Sequence, residues 1–222
     1  MITRRSLLAN LLCMTCLIIS LQHYKATDIL TKDSPMSLQQ TLVSSNQIFE
    51  LGFFTPGNST NRFLGIWFKN ILPRNILWIA NRQNPISISN TSSTLTIGND
   101  GNLRILDADQ NNVWSTRLTI LSNRTIAKLT DVGDFTLNDT ISGLNLWKSF
   151  DNPCNILLPG MRLGTNGKTQ GNKNLLTSWK SDNDPTTGDL LLAFQKNNHH
   201  KLSQGVVQNR IGEAGHGMEG SL

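Results

Sequence analysis

The chain has 222 residues and a formal net charge of +5, enough length for one ordinary domain and part of a second. Three of the positive charges, Arg4, Arg5 and Lys25, fall within residues 1–26, which hold no acid, so the remainder carries +2. That remainder has no Lys/Arg cluster of the kind nucleic-acid binding needs, and no nucleic-acid partner is expected.

Residues 1–26 read as a secretory signal: Arg4 and Arg5 form the basic start, Leu7–Leu21 the apolar stretch, and cleavage is expected after Ala26. The alternative is an uncleaved signal anchor. Cys13 and Cys16 would leave with the leader, so their C-x-x-C spacing carries no redox or metal chemistry. Cys154 is then the sole cysteine of the mature chain, expected to be buried, and the domain must hold by core packing alone.

The next stretches read as strands separated by turns. Leu38–Val43 and Ile48–Phe54 flank the turn at Ser44–Asn46, and Thr55-Pro56-Gly57-Asn58 ends the second. Arg62–Arg82 organises the chain: two aromatic and β-branched runs joined by a polar connection with Pro73 and Asn75, an antiparallel pair. Each run carries one Trp, Trp67 and Trp78, and Ile76–Ala80 is apolar enough to be covered on both faces. Shorter units follow: Thr94–Ile97 with Leu103–Leu106, Val113–Thr116, Ile126–Leu129 with Phe135–Leu137, and Leu144–Phe150. Asn-Asp-Gly-Asn at 99–102 and Asp-Val-Gly-Asp at 131–134 are hairpin turns in similar surroundings, an internal repeat of roughly 30 residues. No convincing amphipathic helix appears, so the domain is all-β; spacing leaves sandwich and barrel open.

Three long words carry a resemblance: "FLGIWFKNILPRNILWIANRQNPI", "LWKSFDNPCNILLPGMRLG" and "LLTSWKSDNDPTTGDL". In that order they resemble the bulb-type (G-type) lectin domain of plant S-locus glycoproteins and S-domain receptor-like kinases, from about Asp28 to about Phe194. The resemblance implies a β-prism of three four-stranded antiparallel sheets about a pseudo-threefold axis, over residues 27–150. It implies a linker at 151–174, the opening of the S-locus glycoprotein domain at 175–194, and mannose-type glycans or cell-surface proteins as partners, with a dimer left open. Cysteine-rich modules, a membrane span and a kinase follow in that family. No kinase motif occurs in these 222 residues.

The family's mannose pocket reads Gln-x-Asp-x-Asn-x-Val-x-Tyr along one strand, which turns alternate side chains into one groove. The first repeat supplies Gly98, Asp100, Asn102, Arg104 and Leu106, so only Asp100 and Asn102 match. The second supplies Thr130, Val132, Asp134, Thr136 and Asn138, and none match. Asp100 and Asn102 are therefore read first as turn-formers at a silent site, and in the competing reading as degenerate carbohydrate ligands. Asn58, Asn90, Asn123 and Asn138 head Asn-x-Ser/Thr acceptors for N-glycans, each read in a turn-like stretch on the surface of a secreted product. Trp67, Trp78, Trp114 and Trp147 are the expected core. No enzyme, catalytic residue, metal or cofactor is expected: His199 and His200 are adjacent rather than spaced as ligands, and Asp182 and Asp184 sit in a turn before Pro185.

After Phe194 the text departs from the family. Possible codons for Arg-Ser-Gly-Pro-Trp-Asn-Gly, read one base later, give Glu213–Met218, so residues 195–222 are read as a disordered, out-of-frame tail. Leu176, Trp179 and Leu190 are expected to dock the preceding segment on the prism.

Overall fold

The structure is a computed structural model that describes residues 27–119, 124–161, 164–165, 173–196 and 202–208; the expected leader and Asn123 lie outside them. The strands are β1 (Ile29–Leu30), β2 (Met36–Ser37), β3 (Thr41–Val43), β4 (Phe49–Phe54), β5 (Asn61–Phe68), β6 (Ile76–Ile79), β7 (Ile86–Ser87), β8 (Thr94–Ile97) and β9 (Leu103–Leu106). Then come β10 (Asn112–Ser115), β11 (Thr125–Leu129), β12 (Phe135–Asp139) and β13 (Asn145–Lys148), with a single 3-10 turn at Ser149–Asp151. Each of the short segments read from the sequence between residues 38 and 150 contains or overlaps a strand, but Leu38 and Gln39 lie in a turn before β3 and Ser149 and Phe150 in the 3-10 turn after β13.

Three sheets form, ordered β3-β4-β5-β6, β2-β8-β9-β10 and β1-β11-β12-β13, with β7 added beside β5. Each is a run of three consecutive antiparallel strands completed by one strand from the first 43 residues. The architecture is the three-sheet β-prism. The registers repeat as the sheets do. Ile66 lies opposite Trp78, Ile105 opposite Trp114 and Leu137 opposite Trp147, and each pairing sits beside a one-residue register irregularity.

Side-chain alternation explains why the sheets close on one another. β8, β9 and β11 alternate buried and partly exposed residues, as strands with one covered face do. β6 is buried at all four positions, as its continuous apolar run requires. Leu51, Leu64, Ile66, Leu95, Ile105 and Leu137 from the three sheets meet in one apolar cluster. Both repeat turns take glycine at positive φ, Gly101 at 79° and Gly133 at 85°. A side chain at Gly133 would also collide with the ring of Phe49, 2.7 Å from the added carbon.

Packing does not stop at residue 150. Cys154 and Leu158 are buried in the same cluster, and Ile156 and Met161 pack against it. β14 (Gly164–Thr165) and β15 (Lys173–Asn174) pair with each other further along. β16 (Leu176–Ser181) and β17 (Asp184–Lys196) pair next, and Leu176 and Trp179 pack inward as expected, whereas Leu190 is exposed. β18 (Leu202–Gln208) pairs along β17 from Leu190 to Lys196; ladder hydrogen bonds to an existing strand need no apolar side chain.

Candidate functional site

Three strand ladders are related by the repeat, one on each sheet, and each is named a groove after the pocket that the resemblance implies. In the first, the turn closes with Gly98 N–H donating to Asn102 O and Gly101 N–H to Gly98 O, both 2.9 Å. The Asn102 side chain is buried and fully used. Its Oδ1 accepts from the Thr116 hydroxyl at 2.8 Å and from Leu118 N–H at 2.7 Å, and its Nδ2 donates to Asp100 Oδ2 at 3.0 Å. Asp100 accepts in addition from Asn102 N–H and from the Arg104 guanidinium. Partial burial pushes the Asp100 carboxyl up, but the hydrogen bonds from Asn102 and the Arg104 charge outweigh it and hold its pKa below the usual value. A side chain at Gly98 would meet Asp100 Oδ1 at 2.8 Å and the Arg104 guanidinium at 3.1 Å. Arg104 thus fills the space in front of Gly98.

The second groove repeats the turn, with Thr130 N–H donating to Asp134 O at 2.9 Å and Gly133 N–H to Thr130 O at 3.1 Å. Its acid looks inward. Asp134 Oδ1 accepts from the Ser149 hydroxyl at 2.9 Å and from Phe150 N–H at 3.1 Å. Burial raises its pKa, partly offset by those two bonds and by Lys148. Asn138 donates to Thr136 Oγ1. The third groove escaped the sequence reading, because its turn lacks the Gly-containing repeat word. Counting from the Trp pairings, Gly65 corresponds to Arg104 and Thr136, which places Ser59, Asn61, Phe63, Gly65 and Trp67 in the ladder. Phe63 is fully buried, and a side chain at Gly65 would strike the Phe54 ring.

The structure separates the four tryptophans. Trp67 and Trp78 are 1% and 2% exposed, and Trp114 and Trp147 are partly buried and packed against the same core. Trp67 stands apart: it donates to Glu50 at 2.8 Å and lies under the Arg74 guanidinium. Trp78, Trp114 and Trp147 form a triad, one from each sheet, every pair edge-on with centroids 5.7–6.3 Å apart. The partial exposure of Trp114 and Trp147 has a cause: the triad floors an open cavity of about 560 Å³.

One wall of that cavity is tied down by Arg82. This guanidinium is buried, and among the described residues it has no carboxylate partner. It donates instead to the carbonyls of Thr177 (3.1 Å), Ser178 and Pro185 and to the Thr177 hydroxyl at 2.6 Å. Burial lowers its pKa and the nearby Cys154 raises it again. Thr177 N–H donates to Cys154 O at 2.8 Å, and Trp78 Nε1 to Asn152 O at 2.8 Å. Cys154 is free and buried as expected, its thiol bonded to Ile79 and its pKa pushed up by burial, an inert packing residue.

Of the glycan acceptors, Asn58 is exposed in a turn, and Asn90 is half-buried with Oδ1 accepting from the Ser93 hydroxyl. The turn reading is wrong for Asn138, which lies within β12. Among the described residues no group of three or more His, Cys, Asp or Glu could hold a metal ion, and no helix is long and apolar enough to cross a membrane.

A three-sheet prism with one ladder of groove-facing residues per sheet defines a lectin-type domain. The family and sequence comparisons agree. Residues 75–180 match the D-mannose binding lectin family. Two G-type lectin S-receptor-like serine/threonine-protein kinases of Arabidopsis thaliana are 46% and 44% identical over 163 and 162 residues, 73% of this chain and 20% of each relative. The chain spans about a fifth of the length of these relatives. Among solved structures, a mannose-binding lectin from Gastrodia elata is 15% identical with a TM-score of 0.43, over 55% of this chain and 96% of that one. The mannose-specific agglutinin of snowdrop bulbs (Galanthus nivalis) gives 15% and 0.38, over 62% and 99%. This chain carries a bulb-type lectin domain related to those of the G-type lectin S-receptor-like kinases.

Proposed function

We propose that the domain works outside the cell as the recognition module of an S-domain receptor-type glycoprotein, reading mannose-type glycans or cell-surface proteins. The observation that carries this is the prism itself, which keeps three ladder-bearing hairpins, of which the one at Gly98–Leu106 retains an Asp and an Asn at the matching positions. A second reading, recognition of a protein surface, is favoured by what fills the grooves. The Asn102 Oδ1 and Asp134 Oδ1 acceptors are spent on their own chain, and the central position of the third ladder is the buried ring of Phe63. A sugar at the first groove would have to displace Arg104 from Asp100, losing a charge-assisted bond for each one gained.

The experiment is to express the chain in a secreting cell and probe the secreted product with immobilised neutral and high-mannose glycans. Retention of any glycan, competed by free sugar, supports the carbohydrate reading. No retention by a product that melts cooperatively would leave only the protein-recognition reading.

A further inference from the structure

We propose that the cavity over the tryptophan triad, and not the three peripheral grooves, is where this domain takes a sugar: one neutral hexose ring of a glycan. The inference rests on the reading of the domain as a carbohydrate-recognition module and moves its ligand to a different place.

The cavity, about 560 Å³, is within the usual range for small-ligand sites of ~300–1,000 Å³ and has ample room for one hexose. Its floor is aromatic. Trp78, Trp114 and Trp147 stand edge to face with one another, so an entering ring meets both π faces and indole edges. A π face is electron-rich, and the C–H bonds on one side of a hexose carry partial positive charge, so the two attract while apolar surface leaves water.

The hydrogen-bonding groups divide into those already committed and those still available. Asn81 is committed, accepting from Leu64 N–H at 2.8 Å and donating to Arg62 O and Asn84 O. Arg82 is committed to its carbonyls, and Gln83 to the Thr187 hydroxyl. Trp78 Nε1 is committed to Asn152 O. Two donors in the lining are not: neither Trp114 Nε1 nor Trp147 Nε1 has a protein acceptor among the described residues. The rim adds one cation and one anion, Arg117 and Asp151, both exposed and neither in a salt bridge among the described residues. Free indole donors, a free carboxylate and a free guanidinium suit a ligand that donates and accepts from neighbouring atoms and has no charge of its own. Sugar hydroxyls do that. An anionic ligand would face Asp151, and a cationic one Arg117.

The cavity is also stiff. Its wall toward β16 is fixed by the Arg82 bonds, and the Thr177 N–H bond holds residue 154 beside it. A site fixed before the ligand arrives loses less ordering entropy on binding.

The test titrates the secreted full chain with a labelled panel of neutral oligosaccharides, high-mannose chains included, following tryptophan fluorescence and retention. Three variants are compared with it: Trp147→Phe, which keeps a ring and removes the N–H; the exposed pair Arg117→Ala with Asp151→Ala; and Asp100→Ala in the first groove. Thermal melting confirms that each is folded, and the rim pair serves if Trp147→Phe is not. We expect the cavity variants to weaken binding by about tenfold or more, the size of one or two lost hydrogen bonds, and each to weaken it more than Asp100→Ala does. Binding abolished by Asp100→Ala and untouched by the cavity variants overturns this proposal and keeps the carbohydrate reading. Binding of no panel member overturns both.

Discussion

The axis of the prism and its three outer grooves are built from the same repeat, and they have fared differently. At the axis every sheet places a Trp on the same strand, opposite the same kind of aliphatic residue, beside the same register irregularity. In the grooves the corresponding positions hold Gly65, Arg104 and Thr136, three unrelated side chains with three different jobs. The difference follows from geometry. The three tryptophans touch one another, so each fixes the shape its partners must fill. The grooves do not touch, and each is free to be rebuilt from local material: a ring in one, an ion pair in another, an inward-looking acid in the third.

The largest break in that comparison should come from the axis. Trp78→Ala removes a fully buried ring, two edge-on contacts and the bond to Asn152. We expect a loss of about 3–5 kcal/mol in chemical denaturation, against about 5–15 for a whole domain. Trp114→Ala and Trp147→Ala should lose less, because both are half-exposed; equal losses at all three would mean the cavity over them is closed in solution. Next comes Arg82→Ala. It removes the guanidinium's bonds to three carbonyls and a hydroxyl, and we expect about 2–5 kcal/mol and the release of β16 and β17 from the prism, read as new protease cleavage after residue 161. Unchanged cleavage would show that Leu176 and Trp179 hold that segment without it.

Much of this fold was legible in the sequence. The apolar run at 76–79 and the Gly-bearing turns at 101 and 133 announced their strands and hairpins, because backbone needs there are local. The prism itself came only through the resemblance, since alternation within a strand says nothing about how sheets close. Three things were hidden. The third ladder lacks the turn word that marks the other two. The Arg82 clamp joins atoms about 95 residues apart, and an Arg in a loop carries no sign of what it will meet. The triad cavity depends on three strands at once, so composition read Trp114 and Trp147 as core and gave no sign of the opening above them.

A smaller effect is expected in the grooves. Asn102→Ala cuts the ties to Thr116, Leu118 and Asp100 and leaves a backbone N–H of the 116–118 segment unpaired. About 1–3 kcal/mol is expected in denaturant titration. Asp100→Ala removes a partly exposed ion pair and should change stability by about 0–1 kcal/mol. If Asp100→Ala proves the more damaging, the first groove is held by its charge pair rather than by Asn102.

The smallest expected effect is one of pH, and it separates the second groove from the first. Burial raises the pKa of Asp134 in the folded domain, while hydrogen bonds and Arg104 lower that of Asp100. A carboxyl with a raised folded pKa binds its proton more tightly folded than unfolded. Its contribution is therefore fully present below the ordinary carboxylate value and is lost as pH rises through the raised one. Asp100 runs the other way, contributing above its ordinary value and losing that contribution as pH falls. Asp134→Asn keeps the acceptor for Ser149 and Phe150 but cannot ionise. Measured as a difference in melting temperature between variant and parent, its advantage should be absent near about pH 3 and grow toward about pH 7. Asp100→Asn should show the reverse, falling behind the parent as pH rises. A flat difference for Asp134→Asn would mean that the two bonds to Oδ1 offset burial completely, and that the second groove holds an ordinary ionised carboxylate facing inward.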